Sequence, residues 1–326
     1  MNWLLALCAM MNATVEQQEV TAPPSTAVIV VVGEPGEEKY EQLFVEWAQH
    51  WEETTSKADV KLVSIGPPRE KSSEKEDRDL FCEMLTSFEK APPEALWIVF
   101  IGHGTFDGKK AKFNLRGTDI TATELGEQLA KIPCKTAIIN CASASGPFLT
   151  QLSADNRVIV TSTQNGSEQN FARFGGYLAS SVGDASADLD KDGQTSLLEA
   201  WLAASKQTQE YYETEGQLAT EHALLDDNGD GKGTPYDWFR GIHLVKTSKD
   251  SSLPDGTFAN QFILIPAGAS SQLTDEQRKQ RDQWEVELAQ LRQQKASLSE
   301  EEYLSKLEKI LLPLAKLYQQ TKQAPK

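Results

Sequence analysis

The chain has 326 residues, which is long enough for one large α/β domain with an appendage or for two modest domains. Its hydrophobic content of 39% supports a buried core. The formal net charge of −16 argues against a nucleic acid or an anionic membrane as partner, because phosphate binding requires concentrated Lys and Arg. Asp is concentrated between residues 184 and 237, which indicates cation binding there; a solvated acidic surface is the alternative.

The chain begins with a short apolar stretch, MNWLLALCAMMNA, which is too brief to span a bilayer. It is similar to the apolar part of a secretory leader that ends at the small residue Ala13. We therefore predict that residues 1–13 form a signal peptide and that the chain is exported, to the periplasm or outside the cell; a frayed N-terminal segment is the alternative. Without this leader an odd number of cysteines remains, so at least one thiol is free: Cys82, Cys134 and Cys141.

After a polar, proline-containing linker, short apolar runs alternate with amphipathic stretches of helical length. The runs are rich in Val and Ile and are continuous, as expected for strands that are covered on both faces. This alternation predicts an α/β fold with a mostly parallel sheet of about six strands flanked by helices. Strands are predicted at 27–32, 60–65, 96–101, 137–140 and 158–161, an edge strand at 262–265, and helices at 37–56, 75–90, 121–132 and 196–222.

The composition changes near Leu273, where the sequence becomes rich in Gln, Glu and Lys with Leu at helical spacing. Two capping-box patterns, at Thr274 and Ser299, mark the starts of two helices, over about 275–296 and 300–320. We therefore predict a domain over 25–266 and a C-terminal helical hairpin over 272–322. The hairpin is expected to pack on the domain, on a partner or on a second copy of the chain.

Two reactive side chains follow consecutive strands of the predicted sheet. His103 comes shortly after the run that ends at Ile101, and Cys141 comes directly after the run that ends at Asn140. In an open parallel sheet, residues at the carboxyl ends of strands gather at one edge. A cysteine thiolate is a good nucleophile, and a nearby His can take the thiol proton and return it to a leaving amine. An inert, packed Cys and a structural His are the alternatives.

The stretch from about 27 to 180 resembles the caspase–hemoglobinase fold, and within it the legumain-like cysteine peptidases more than the caspases. The resemblance is carried by the strand that ends in His103-Gly104, a predicted hairpin over 105–120, a helix, and the strand that ends in Cys141. It implies a caspase-like fold in which His103 is the general base and Cys141 the nucleophile. It also implies that the backbone amides of Gly104 and Cys141 form an oxyanion hole.

By the same resemblance, the strand after Cys141 flanks the specificity pocket. This makes Ser162, Thr163 and Gln164 candidate substrate-pocket residues. The sequence departs from the family pattern on both sides of Cys141, with Asn140 in place of a small residue and Ala142 in place of Glu. The loop after the first strand has no Arg matching the one that legumains use to recognise Asn, so asparaginyl specificity does not carry over.

An acidic loop in the second half of the chain matches an EF-hand calcium loop at every liganding position. Carboxylates stand at the first, third and fifth positions, Gly193 permits the sharp turn at the sixth, and a Glu closes the loop at the twelfth. The segment before the loop is a poor entering helix, so the hand is predicted to be incomplete; an acidic turn is the alternative. The predicted Ca²⁺ ligands are Asp188, Asp190, Asp192, Gln194 and Glu199.

A second loop keeps this spacing but ends in Asp, which is shorter than Glu and less often bidentate. A glycine-rich structural turn is the alternative. The predicted ligands of this loop are Asp226, Asn228, Asp230, Lys232 and Asp237.

Together these residues predict a calcium-stabilised cysteine endopeptidase that cleaves protein or peptide substrates through a thioester intermediate. Two alternatives stay open. One is a catalytically inactive, calcium-binding interaction module of the same fold. The other is a cysteine transpeptidase or ligase, because an amine can capture a thioester in place of water.

Overall fold

A computed structural model describes residues 26–323 of the chain, except for 59, 69–74, 247–252 and 268–272. The predicted signal peptide and the linker lie outside the described residues. Among the helices of the described part, none combines the length and the apolar character needed to cross a bilayer.

A seven-stranded sheet forms the centre of the molecule, in the order β10-β9-β8-β7-β3-β1-β2. The strands β2, β1, β3, β7 and β8 pair in parallel, whereas β9 and β10 add two short antiparallel strands at one edge. The α/β prediction is therefore confirmed, with one strand more than expected. The sheet consists of β1 (Thr26–Val32), β2 (Lys61–Ile65), β3 (Ala95–Ile101), β7 (Lys135–Asn140), β8 (Arg157–Thr161), β9 (Leu224–Asp226) and β10 (Thr234–Pro235).

The helices cover both faces of this sheet, which explains why the strand sequences are apolar without alternation. In β1, Val28, Val30 and Val32 contact the core on one face, and Ala27, Ile29 and Val31 contact the core on the other. One face packs against α1 (Glu38–Thr55), α5 (Phe174–Ser181) and α6 (Leu197–Thr214), and the other against α2 (Asp77–Lys90), α3 (Ala122–Leu129) and α4 (Gly146–Leu152).

Two local predictions near the sheet are corrected. The segment 262–265 is not an edge strand, because it makes only an isolated bridge between Ile263 and Ser196, and β9 with β10 occupies the edge instead. The hairpin predicted over 105–120 is a three-stranded sheet made of β4 (Gly104–Phe106), β5 (Ala111–Phe113) and β6 (Ile120–Thr121). A separate hairpin pairs β11 (Phe239–Arg240) with β12 (His243–Leu244).

The two C-terminal helices are observed as α7 (Asp275–Gln293) and α8 (Glu300–Gln323), and each begins at its predicted capping residue. The hairpin packs on the domain through α7, where the Asp282 carbonyl accepts from Gln261 Nε2 at 2.9 Å and the Asp282 carboxylate pairs with Lys135 at 3.0 Å. On α8, Leu304 and Leu311, two of the leucines at helical spacing, are exposed. Only part of this set of leucines therefore packs within the chain.

A buried ion pair joins α2 to the loop before β6 and offers a test of the packing on that face. Asp77 is 1% exposed and receives two hydrogen bonds from the Arg116 guanidinium, at 2.7 and 2.9 Å. Asp77→Asn would replace the buried carboxylate that binds Arg116 by a neutral amide, so we expect a loss of about 3 kcal/mol in the free energy of unfolding, measured by urea titration.

Glu210→Gln is the matched control, because it neutralises one partner of the exposed pair with Lys206 on α6. Such surface pairs contribute at most about 0.5 kcal/mol. Equal losses from the two substitutions would contradict the structural role assigned to the buried pair.

Candidate active site

The pairing of β3 with β7 places His103 and Cys141 at one edge of the sheet. The strands are parallel and in register from Ala95 opposite Lys135 to Phe100 opposite Asn140. Cys141 comes immediately after β7, and its amide continues the ladder by donating to the Phe100 carbonyl at 2.9 Å. Both candidate residues therefore lie at the carboxyl ends of neighbouring strands, as the sequence predicts.

The His103 ring lies in an aromatic enclosure formed by α1 and the segment before α5. Its centroid is 4.9 Å from Tyr40, 5.2 Å from Phe44 and 6.3 Å from Phe171. Desolvation by these rings lowers the pKa of His103, opposed by a hydrogen bond to the Pro35 carbonyl and by the Glu37 charge. The imidazole is thus held neutral at pH 7, which is the protonation state that a general base needs.

Cys141 is enclosed in the core on the same face of the sheet. Its side chain is 1% exposed and packs under α5, where a Cβ added at Gly175 would lie 2.6 Å from the Cys141 Cβ and 3.0 Å from the Trp47 ring. Only glycine allows α5 to approach the thiol this closely. Burial, and secondly the Glu221 charge, raise the pKa of the Cys141 thiol above its ordinary value. In this conformation the sulfur is a protonated thiol without access to solvent.

The structure brings the two candidate residues to the same edge and the same face without a hydrogen bond between them. His103 contacts Phe44 and Phe171, and both of these rings contact Trp47, which adjoins the position of Gly175 above Cys141. A continuous aromatic layer therefore covers the base and the thiol together.

Both amides of the predicted oxyanion hole have acceptors within the protein. The Cys141 amide is not free to bind an oxyanion, because it donates to the Phe100 carbonyl. The Gly104 amide instead points at the hydroxyl of Ser143, with a distance of 3.4 Å between N and Oγ. A Cβ at position 104 would lie 2.4 Å from the Ser143 carbonyl oxygen, so the close approach of the two loops requires glycine.

The predicted pocket residues hold the loop after β7 and do not face an open cleft. Ser162 and Thr163 are fully buried. The Ser162 hydroxyl donates to the Ala142 carbonyl at 2.6 Å, and the Thr163 hydroxyl accepts from the Gly146 amide at 3.0 Å. Gln164 is at the surface, where its side chain donates to Glu168 at 3.0 Å.

Glu221 holds the beginning of α5 over Cys141, and it was not among the predicted site residues. Its carboxylate accepts from the amides of Arg173 and Phe174, at 2.8 and 3.0 Å, and from the Tyr212 hydroxyl at 3.0 Å. These bonds satisfy free amides at the beginning of α5. Burial is the main reason that the pKa of Glu221 is raised, and the hydrogen bonds oppose that effect. No local pattern links a Glu to a helix that begins 47 residues earlier.

A cavity of about 290 Å³ opens between α1 and α5, on the outer side of the residues that cover Cys141. Trp47 and Gly176 line this cavity and are next to Gly175. The other lining residues combine aromatic rings with both signs of charge: Leu43, Glu46, His50, Phe171, Arg173, Tyr177 and Ser180.

The first acidic loop brings three of its predicted ligands together. Carboxylate oxygens of Asp188, Asp190 and Asp192 lie within 4.8 Å of one another. Desolvation, together with the neighbouring carboxylates, raises the pKa of Asp190 to about 6. Glu199 turns back into the loop, where Oε1 accepts from the Leu189 amide at 2.7 Å. A 3-10 turn at Ala185–Ala187 takes the place of an entering helix, as the poor entering sequence predicts.

The second loop is less complete. Asp226 ends β9 and is 1% exposed, and the Asn228 and Asp230 side chains accept from amides of the same loop at 2.9 Å. Asp237, the predicted closing ligand, is exposed and pairs with Lys246 at 3.3 Å. In the described part of the chain, the three acidic residues of this loop do not form a compact group.

No family model matches this sequence, and no curated protein matches it. Among the solved structures that match is the Drosophila initiator caspase Dronc. The two chains are 13% identical, the match covers 67% of this chain and 85% of that one, and the TM-score is 0.39. A likeness this distant does not identify an activity, and the legumain-like assignment stays a prediction from the sequence motifs.

Gly175→Ala tests the close contact above Cys141. The added methyl has to displace Cys141 or Trp47, so we expect a loss of about 1–3 kcal/mol in the free energy of unfolding, as for other overpacked core positions.

Gly126→Ala on α3 is the matched control, because its added methyl would meet atoms only at 3.5 Å. Removing a glycine from a helix should stabilise by about 0.5–1 kcal/mol. Chemical denaturation of both variants gives the comparison, and a stable Gly175→Ala protein would show that α5 does not rest on the thiol.

Proposed function

We propose that this chain hydrolyses peptide bonds, with Cys141 as nucleophile and His103 as general base, and that the structure shows its closed state. The observation that supports this most is the pairing of β3 with β7, which delivers both residues to one edge and one face of the sheet. The neutral state favoured for His103 fits the role of a base.

The proposed reaction has two steps. His103 takes the Cys141 proton, and the sulfur attacks the peptide carbonyl carbon to give a tetrahedral oxyanion. The C–N bond then breaks as His103 returns the proton to the leaving amine, which leaves a thioester. Water, deprotonated by His103, attacks this thioester and releases the acid and the free thiol.

Opening of the cover over Cys141 must precede the first step, because a side chain that is 1% exposed cannot meet a substrate. The cover is the beginning of α5 with Phe171, held by the Glu221 hydrogen bonds. Displacing this cover would connect the cavity between α1 and α5 to the Cys141 thiol, because Gly176 lines the cavity and Gly175 covers Cys141. The aromatic lining of the cavity suits an apolar side chain of the substrate.

Ser143 is a second candidate nucleophile. Its hydroxyl lies 3.4 Å from the Gly104 amide, which is the oxyanion donor implied by the family resemblance. In the closed state it also donates to the Gly104 carbonyl at 3.3 Å. A serine acyl-enzyme would use the same edge of the sheet and the same base.

Labelling with two electrophilic probes separates these mechanisms. A peptidyl vinyl sulfone reacts with a thiolate, and a fluorophosphonate reacts with an activated serine. We expect vinyl sulfone labelling and peptide hydrolysis to be lost in Cys141→Ala and reduced by at least about 100-fold in His103→Ala. The acid limb of kcat/KM should have its midpoint below 6.5, because the enclosure lowers the pKa of His103.

Cys134→Ala is the control for thiol chemistry, because this free cysteine lies before β7 at the opposite edge of the sheet. Fluorophosphonate labelling that disappears in Ser143→Ala would assign the serine mechanism instead. If neither probe labels the folded protein, while urea unfolding exposes Cys141 to a simple thiol reagent, the proposal that the cover opens to give an active peptidase is contradicted, and a non-catalytic module of the same fold is favoured.

We also propose that the loop from Asp188 to Glu199 binds calcium. The support is the cluster of three carboxylates within 4.8 Å, in a loop whose backbone already has the sharp turn at Gly193. Mutual repulsion of these carboxylates destabilises the empty loop, and a hard divalent cation with oxygen ligands removes that repulsion. For an exported protein a dissociation constant of about 10⁻⁴–10⁻³ M would suffice.

Thermal unfolding with calcium, with magnesium and with a chelator tests this site. Calcium should raise the melting temperature of the wild type by mass action, and Glu199→Gln should remove most of the increase. Asp184→Asn is the control, because the Asp184 carboxylate bonds only Ser186 and lies outside the three-carboxylate group. Identical melting temperatures under all three conditions would contradict calcium binding.

A further inference from the structure

Arg173 places a stacked guanidinium group beside the cavity between α1 and α5. The side chain is half-buried, and its guanidinium carbon lies 4.3 Å from the centre of the Tyr211 ring and 5.5 Å from that of Phe171. Among the residues that the structure describes, no carboxylate forms an ion pair with this group, and no acceptor bonds its N–H groups. Stacking on aromatic faces leaves the edge of the planar group, which carries the N–H donors, free to bind a ligand.

Glu221 does not neutralise this guanidinium by direct contact. Its carboxylate accepts from the backbone amides of Arg173 and Phe174, at distances between 2.8 and 3.0 Å, and from the Tyr212 hydroxyl at 3.0 Å. Burial raises the pKa of the Glu221 carboxyl, and the Arg173 charge opposes this effect less than these hydrogen bonds do. Within the described residues, the guanidinium therefore has no anion in direct contact.

The cavity between α1 and α5 has the size and lining of a small-molecule site. Its volume of about 290 Å³ is close to the lower end of the range for such sites, about 300 Å³. Trp47, Phe171 and Tyr177 supply aromatic walls, and Arg173 lines the same space. A Cβ built on Gly176 would lie 2.6 Å from the Trp47 Nε1 atom, so a side chain at this position would fill the space next to the indole.

We propose that this cavity binds a small molecule that has an apolar body and one carboxylate, and that Arg173 pairs with the carboxylate. The aromatic walls would contact the apolar body, and the edge of the guanidinium would donate two parallel hydrogen bonds to the carboxylate oxygens. One negative charge is favoured over the two of a phosphate ester. Among the described residues, Arg173 is the single Lys or Arg that lines the cavity, and the Glu46 carboxylate lines it as well.

This ligand would also hold the cover over Cys141 closed. Arg173 directly precedes α5, and its amide is bound by Glu221, whereas Trp47 belongs to α1. A molecule in contact with both would connect the two helices, and a ligand that binds only the closed conformation opposes opening by mass action. This consequence rests on the proposed peptidase function, whereas the binding site itself does not.

Ligand-detected NMR titration of the full chain with 3-phenylpropionate tests the site, because this molecule joins one aromatic ring to one carboxylate. A ligand of this size is expected to have a dissociation constant of about 10⁻⁴–10⁻³ M. Its neutral analogue, 3-phenylpropionamide, should bind at least about tenfold more weakly, because it lacks the charge-assisted hydrogen bonds. Arg173→Gln should weaken 3-phenylpropionate binding by a similar factor. Arg173→Lys should retain part of the binding, because it keeps the charge without the planar donor edge.

Arg240→Gln is the charge-matched control, because it removes an exposed Arg of β11 that does not line the cavity. This variant should keep the wild-type affinity. The proposal is overturned if the amide binds as tightly as the carboxylate, if Arg173→Gln keeps the wild-type affinity, or if Arg240→Gln weakens binding as much as Arg173→Gln does. Circular dichroism checks folding, and Arg173→Lys keeps the test valid if Arg173→Gln is unstable.

Vinyl sulfone labelling of Cys141, with and without 3-phenylpropionate, is measured separately. The ligand should slow labelling in the wild type, and this slowing should disappear in Arg173→Gln. Carboxylate binding to a protein whose Cys141 is never labelled would support the site and contradict the peptidase. Unchanged labelling of a protein saturated with the ligand would contradict the link between the ligand and the cover.

Discussion

The arrangement of this protein depends on the parallel pairing of β3 with β7. Its register fixes where both strands end, and therefore brings His103 and Cys141 to the same edge. The same ladder continues one residue beyond β7, because the Cys141 amide bonds the Phe100 carbonyl. That bond positions the cysteine but also uses the amide that an oxyanion hole would need. The pairing of β3 with β7 thus brings the two candidate residues together, and its last hydrogen bond keeps the Cys141 amide from binding an oxyanion in this conformation.

The cover over the Cys141 thiol is formed by residues that are distant from it in the sequence. Gly175 permits α5 to touch Cys141, and Glu221 satisfies the amides at the start of that helix. The resulting desolvation has opposite effects on the proposed roles of His103 and Cys141. Desolvation favours the neutral imidazole that a base requires, whereas it disfavours the thiolate that a nucleophile requires. If the chain has the proposed peptidase activity, its cover must move before Cys141 can react.

The acidic loops differ in how they are completed. In the first loop, the carboxylates that the motif identifies lie together, and its helix begins at a capping box formed by Ser196 and Glu199. In the second, the loop is docked against α4, and its motif-predicted closing residue points to solvent. The Ser153 hydroxyl at the end of α4 lies against the Asp226 carboxylate where these two segments meet. The second loop is therefore anchored to the sheet through β9 and to the end of α4.

The sequence by itself determined the features that depend on neighbours a few residues apart. Continuous apolar runs predicted the five parallel strands, and capping boxes predicted the starts of α7 and α8. Loop spacing predicted the carboxylate cluster at Asp188, because its geometry is set within one turn of backbone.

Only the tertiary structure decided which side chains are buried and which distant segments they contact. The strands beyond β8 come from 224–226 and 234–235 and not from 262–265, because pairing with β8 is settled by long-range packing. The burial of Cys141 depends on Gly175, and the beginning of α5 is held by Glu221, 47 residues after Phe174. Such contacts join segments distant in sequence, so no local pattern encodes them, and they determine whether a reactive group can react.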